Sequence, residues 1–189
     1  MKLLKHLTLA LTLGVVFASQ AQASTVALVA NGDWNEFNVN DEFSTTQGVE
    51  WIDFNDSNSP DFGSALTYQF TIASGFKGLL SVVDAGVAGD SFQIFNNGQS
   101  VGFTSNTNNT IEYSNDFNSN LTNANFSSGV FALNEGSYNI SGALFSTLQP
   151  FNATNGALKL EVTSVPLPGT FGLLAGGLSL LAFLRRRRA

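Results

Sequence analysis

Five oxygen-bearing side chains crowd the segment WIDFNDSNSPDFG: Asp53, Asn55, Asp56, Asn58 and Asp61. Carboxylates and amides at this density are what a hard cation takes as ligands, and calcium takes six to eight oxygens. The loop is therefore the first candidate for a calcium site, and calcium is the one cofactor the sequence raises. It is not an EF-hand: counted from Asp53, the sixth position is Asn58 where that loop needs glycine, and the twelfth is Ser64 where it needs glutamate. The competing reading is a turn whose Asp and Asn side chains bond their own backbone. Asp84 and Asp90, which flank AGVAG, form a second oxygen pair and read as turn residues. Trp34, in NGDWNEF, is the candidate platform for a sugar ring, an aromatic among polar neighbours. Trp51 shares a strand face with Val49 and reads as core.

Absences narrow the chemistry further. The chain has no cysteine, and its one histidine, His6, lies near the N-terminus. A Ser-His-Asp or Cys-His nucleophile, a His/Cys zinc site and a disulfide framework are all excluded from the central part of the chain. Carboxyl pairs of glycosidase spacing arise by chance among 14 acidic residues, so they identify no active site, and the sequence reads as non-enzymatic. All 14 acids fall between residues 24 and 164, against two lysines, Lys77 and Lys159, and no arginine. Such a body repels phosphate backbones, which makes nucleic acid an improbable partner.

The elements that must position these residues have a period of two. In ALTYQFTI, Leu66, Tyr68, Phe70 and Ile72 share one face; in ALKLEV, Leu158, Leu160 and Val162 do. Asn97-Gly98, flanked by apolar residues, predicts a type I′ hairpin with arms 91–96 and 99–104. Residues 106–128, rich in Asn and Ser, read as a long loop with one short strand or as a low-complexity insertion. About ten short strands between Gly, Asn and Ser turns predict an all-β antiparallel sandwich, jelly-roll-like, over residues 24–164.

The two ends read as addresses. Residues 1–23 carry Lys2 and Lys5, an apolar run from Leu7 to Ala18, and small residues at Ala21 and Ala23, the pattern of a signal peptide cut by signal peptidase after Ala23. Residues 165–189 begin with Val165, Pro166 and Pro168, continue through an uncharged run from Thr170 to Leu184, and close on Arg185, Arg186, Arg187 and Arg188. As a helix, 170–184 would reach about 22 Å, a marginal span of a ~30 Å bilayer core. The arginines would hold the C-terminus on the cytoplasmic side.

That tail resembles the PEP-CTERM sorting signal of Gram-negative bacteria in its three parts: a Val-Pro-x-Pro motif, a short apolar helix and an arginine cluster. Leu167 stands where the usual signal has glutamate, which makes this a VPLPA-type variant. The resemblance covers the final 25 residues, 165–189. It implies a transient inner-membrane intermediate, cleavage by an exosortase-like protease, and release to the cell surface or to an exopolysaccharide or biofilm matrix. The stretches LLSVVDAGVAGDSFQIFNNGQSVGFTS and FALNEGSYNISGALFSTLQPFNATNGALKLEV resemble, in turn, a β-sandwich pattern found in other secreted proteins with such tails. The expectation is a secreted structural protein of that matrix. The alternative is an extracellular module that binds carbohydrate or calcium.

Overall fold

The structure, a computed structural model, describes residues 23–108, 110–148 and 152–166. The predicted helix over 170–184, most of the signal peptide, Pro168 and the four arginines lie outside the described residues. Among the described residues no helix is long and apolar enough to cross a membrane.

The described chain is mostly strand, arranged as two sheets. One runs β1 (Ser24–Ala27), β3 (Leu66–Ile72), β9 (Gly136–Ser146), β5 (Ser91–Asn96), β6 (Gln99–Phe103). The other runs β2 (Asn35–Asn40), β10 (Ala153–Ser164), β4 (Phe76–Val87). On the far edge of β4, β8 (Ser128–Leu133) pairs with residues 78–83, and β7 (Tyr113–Ser114) with 86–87. A single helical turn, α1 (Phe117–Asn120), is capped by Asp116, whose carboxylate accepts the N–H groups of Asn118 and Ser119. Every pairing is antiparallel except one: β1 lies parallel to β3. The expectation of a wholly antiparallel sandwich is corrected at that edge. β1 reaches β3 across a long excursion that includes β2, so no tight hairpin dictates its direction.

The period-two faces close on each other. Leu66, Tyr68 and Ile72 from one sheet meet Leu80, Val82, Leu158 and Leu160 from the other in one buried cluster. The Asn97-Gly98 turn forms as its composition predicts, with φ of 49° and 77° at the two residues.

At the centre of the cluster sits Trp51, fully buried, its ring stacked on Phe37 at 3.9 Å and edge-on to Phe92 and Tyr68. The ring lies flat against β9 because Gly142 carries no side chain. A Cβ there would fall 2.2 Å from the indole. The Trp51 backbone N–H donates to the Gly142 carbonyl at 2.8 Å, fixing the approach. Gly156 makes the matching allowance for Phe37, whose ring a Cβ would meet at 2.5 Å.

Trp51→Ala should therefore cost about 3–5 kcal/mol, and Gly142→Ala about 1–3 kcal/mol through overpacking. In urea unfolding, the double variant should lose clearly less than the sum, since the added methyl no longer meets a ring. Additive losses would show that the two residues do not share one packing constraint.

Candidate functional site

The acid-rich segment 53–61 turns its oxygens on itself. Asp53 Oδ1 accepts the backbone N–H of Asn55 at 3.1 Å and its side-chain amide at 3.2 Å, while Oδ2 accepts the Ser24 hydroxyl at 2.7 Å. Asp56 Oδ1 does the same for Asn58, at 2.9 and 3.3 Å. These are consecutive Asx turns, the competing reading of the segment. Phe43, Phe54 and Phe62 pack together at the same loop, with centroids 4.8–5.7 Å apart. Asp53, Asp56 and Asp61 are not gathered round one point: among the described residues no three or more His, Cys, Asp or Glu side chains form a group that could hold a metal.

Trp34 is half-buried and engaged on several sides. Its Nε1–H donates to Asn118 Oδ1 at 3.1 Å, its ring leans on Phe117 at 5.6 Å, and the Lys159 ammonium stands 5.1 Å from the ring centroid. It fastens α1 to the outer side of β10. Lys159 also pairs with Glu161 at 3.3 Å. A different surface offers a ring-sized depression: a shallow cleft of about 480 Å³ in which Phe70 and Tyr138 stack at 5.1 Å between Gln69, Asn97 and Asn139.

Of the sorting residues, Ala23 is exposed immediately before β1, and Val165 and Pro166 are exposed immediately after β10. The Val165 N–H donates to Gly75 O at 2.8 Å. Ala21, Pro168 and Arg185 to Arg188 fall outside the described residues.

The unusual chemistry lies at Asp84 and Asp90. Leu80 and Val82 face the core, and the strand period puts Asp84 on the same face. Asp84 is wholly buried and Asp90 is 2 % exposed. Between them the chain turns through Gly86 and Gly89, at φ of 75° and 125°, which aims the N–H groups of Gly89 and Asp90 at Asp84 Oδ2, both at 3.2 Å. The side chains of Thr147 and Thr154, at the ends of β9 and β10, stand beside the Asp90 carboxylate and favour its charged form. The remaining oxygen of each acid, Asp84 Oδ1 and Asp90 Oδ1, is buried and makes no hydrogen bond with the described residues. Asn120 is buried as well, its side-chain amide donating to the backbone carbonyls of Asp84 and Ser114.

Among the described residues no cation answers this pair. Residues 24–164 hold only Lys77 and Lys159. Lys159 is committed to Trp34 and Glu161. Lys77 is exposed, seven residues along β4 from Asp84 and so about 23 Å away. Burial, and then the charge of Asp90, push the Asp84 carboxyl up to about 8, against the pull of the amides of Asp90, Gly89 and Ala85. Burial likewise raises Asp90, with Thr147 and Thr154 pulling the other way.

Comparison with known proteins adds little to this geometry. No family model matches the chain, and no curated protein does. Among solved structures the chain is similar to the pre-peptidase C-terminal domain of collagenase from Bacillus anthracis, at 11 % identity and a TM-score of 0.34, over 75 % of this chain and 95 % of that one.

A carboxyl that is a weaker acid folded than unfolded makes the native state hold its proton longer. The stability it contributes is intact near pH 4 and is lost as pH rises toward 8. Glu50 acts with the opposite sign. Its partial burial, which would raise it, is outweighed by the hydroxyls of Ser44 and Thr46 and nearby amides, so its contribution is lost only below its ordinary value of 4.5. In metal-free buffer the melting temperature should therefore fall from pH 5 to pH 8, and Asp84→Asn should flatten most of that slope. An equal slope in the variant would contradict the assignment.

Proposed function

We propose that this chain is an exported, non-enzymatic structural protein of the bacterial surface or extracellular matrix, delivered there by its C-terminal sorting signal. The observation that carries the reading is where the first and last strands of the described residues begin and end. β1 begins at Ser24, directly after Ala23, and β10 ends at Ser164, directly before Val165 and Pro166. Cleavage after Ala23 and near Pro166–Pro168 would remove both addressing segments and cut no strand. Exposure of Ala23, Val165 and Pro166 fits protease access at both joints.

The body itself is a jelly roll on this reading. The order β2-β10-β4-β8 against β3-β9-β5-β6 supports it, since these strands alternate between the sheets in chain order except at the β5–β6 hairpin, as two interleaved Greek keys require. Signal peptidase and an exosortase-like protease are the partners during export, with the inner membrane as the intermediate station. Exopolysaccharide is the partner afterwards, and the stacked Phe70–Tyr138 cleft is the surface best shaped to rest against a sugar ring.

Intact mass of the protein from inner-membrane, outer-membrane and extracellular fractions of its host tests this. The expected species runs from Ser24 to the neighbourhood of Pro166 and is found outside the inner membrane. Replacing Arg185 to Arg188 with neutral residues should sharply reduce that species. A protein that keeps its arginines and stays in the inner membrane would overturn the sorting account and leave a tethered periplasmic domain.

A further inference from the structure

We propose that Asp84 and Asp90 form a calcium-binding site at one end of the sandwich, distinct from the acid-rich loop at 53–61. Two observations meet there. Two carboxylates are buried together with no cation among the described residues to balance them, and each keeps one buried oxygen, Oδ1, that no donor among those residues satisfies. An unpaired buried charge is among the costliest features a fold can carry, so it is either neutralised by a proton or matched by a cation.

The donor set selects the cation. Everything the site presents is oxygen: the two carboxylates and, beside Asp90, the hydroxyls of Thr147 and Thr154. There is no imidazole or thiolate to favour zinc or copper, and hard oxygen donors favour calcium or magnesium. Magnesium insists on near-ideal octahedral geometry and sheds its waters reluctantly, whereas calcium accepts the irregular surroundings of a strand end. The donors come from four elements. Asp84 lies in β4, Asp90 just before β5, Thr147 just after β9 and Thr154 in β10. An ion here would tie both sheets together.

The contrast with residues 53–61 is instructive. That loop has more acids, but Asp53 Oδ1 and Asp56 Oδ1 are already taken by Asn55 and Asn58, and the segment is largely exposed. The Asp84–Asp90 pair has fewer acids and a real electrostatic deficit.

The test uses the purified full-length chain in detergent at neutral pH, melted in chelator, in about 5 mM magnesium chloride and in about 5 mM calcium chloride. Calcium should raise the melting temperature by about 5 °C or more, and magnesium by much less. The variant D84N/D90N should melt above the wild type in chelator, because it loses buried charge, and should show no calcium shift. D53N/D56N should keep the full shift. Carbon-13 spectra of aspartate-labelled wild type provide a readout that needs no folded variant: calcium should move the Asp84 and Asp90 carboxyl resonances and leave Asp53 and Asp56 in place. No calcium shift in the wild type, a shift that survives in D84N/D90N, or resonance movement confined to the 53–61 loop would each overturn the proposal.

Discussion

Asp84 and Asp90 occupy the space between two sheets whose strands bring no positive charge to meet them, and much of the surrounding architecture follows from accommodating that. The turn joining β4 to β5 is built on Gly86 and Gly89, whose left-handed backbone lets two amides converge on one carboxylate oxygen. The threonines at the ends of β9 and β10 are drawn to the second carboxylate. Leu148 folds over Gly89, where a Cβ would sit 2.6 Å from its side chain, and helps close that end. Four elements that are remote in sequence thus share one electrostatic problem, and their hydrogen bonds solve only half of it.

The middle of the sandwich faces a steric constraint. A tryptophan ring laid flat on a neighbouring strand requires that strand to be bare at the point of contact, and Gly142 provides this for Trp51 as Gly156 does for Phe37. Stacking of Trp51 on Phe37 then links β9 to β2, one from each sheet, through two rings and two glycines. The sheets are held at a fixed separation here, so the strand ends beyond them, where the two aspartates lie, cannot simply spread apart to admit bulk water.

Much of this was legible in the residues. The alternation in ALTYQFTI and ALKLEV marks β3 and β10 because period two is a local property, and Asn97-Gly98 marks its turn because both residues tolerate positive φ. Trp51 is core, as its sequence suggests, but not by alternation: it lies outside any strand and the adjacent Ile52 is equally buried. The parallel seat of β1 carries no local signal, since four residues beside an edge can run either way. The acid pair was the harder case. Asp84 falls on the core face of LLSVVD, a sign available from spacing alone, yet its glycine-rich neighbours also spell a turn. What distinguishes a turn acid from a buried one is the company of Thr147 and Thr154, some sixty residues away, and no local pattern reveals it. Conversely, the 53–61 loop draws attention by composition, but Asp53 Oδ1 and Asp56 Oδ1 are already taken by Asn55 and Asn58, two residues on.

The measurement that reaches the central claim most directly is a crystal structure of the mature protein grown at neutral pH in millimolar calcium. The account predicts an ion bonded at about 2.3–2.6 Å to one oxygen from each of Asp84 and Asp90. Carboxylates paired with each other through a shared proton and no ion between them, or calcium seated at Asp53–Asp61 instead, would contradict it.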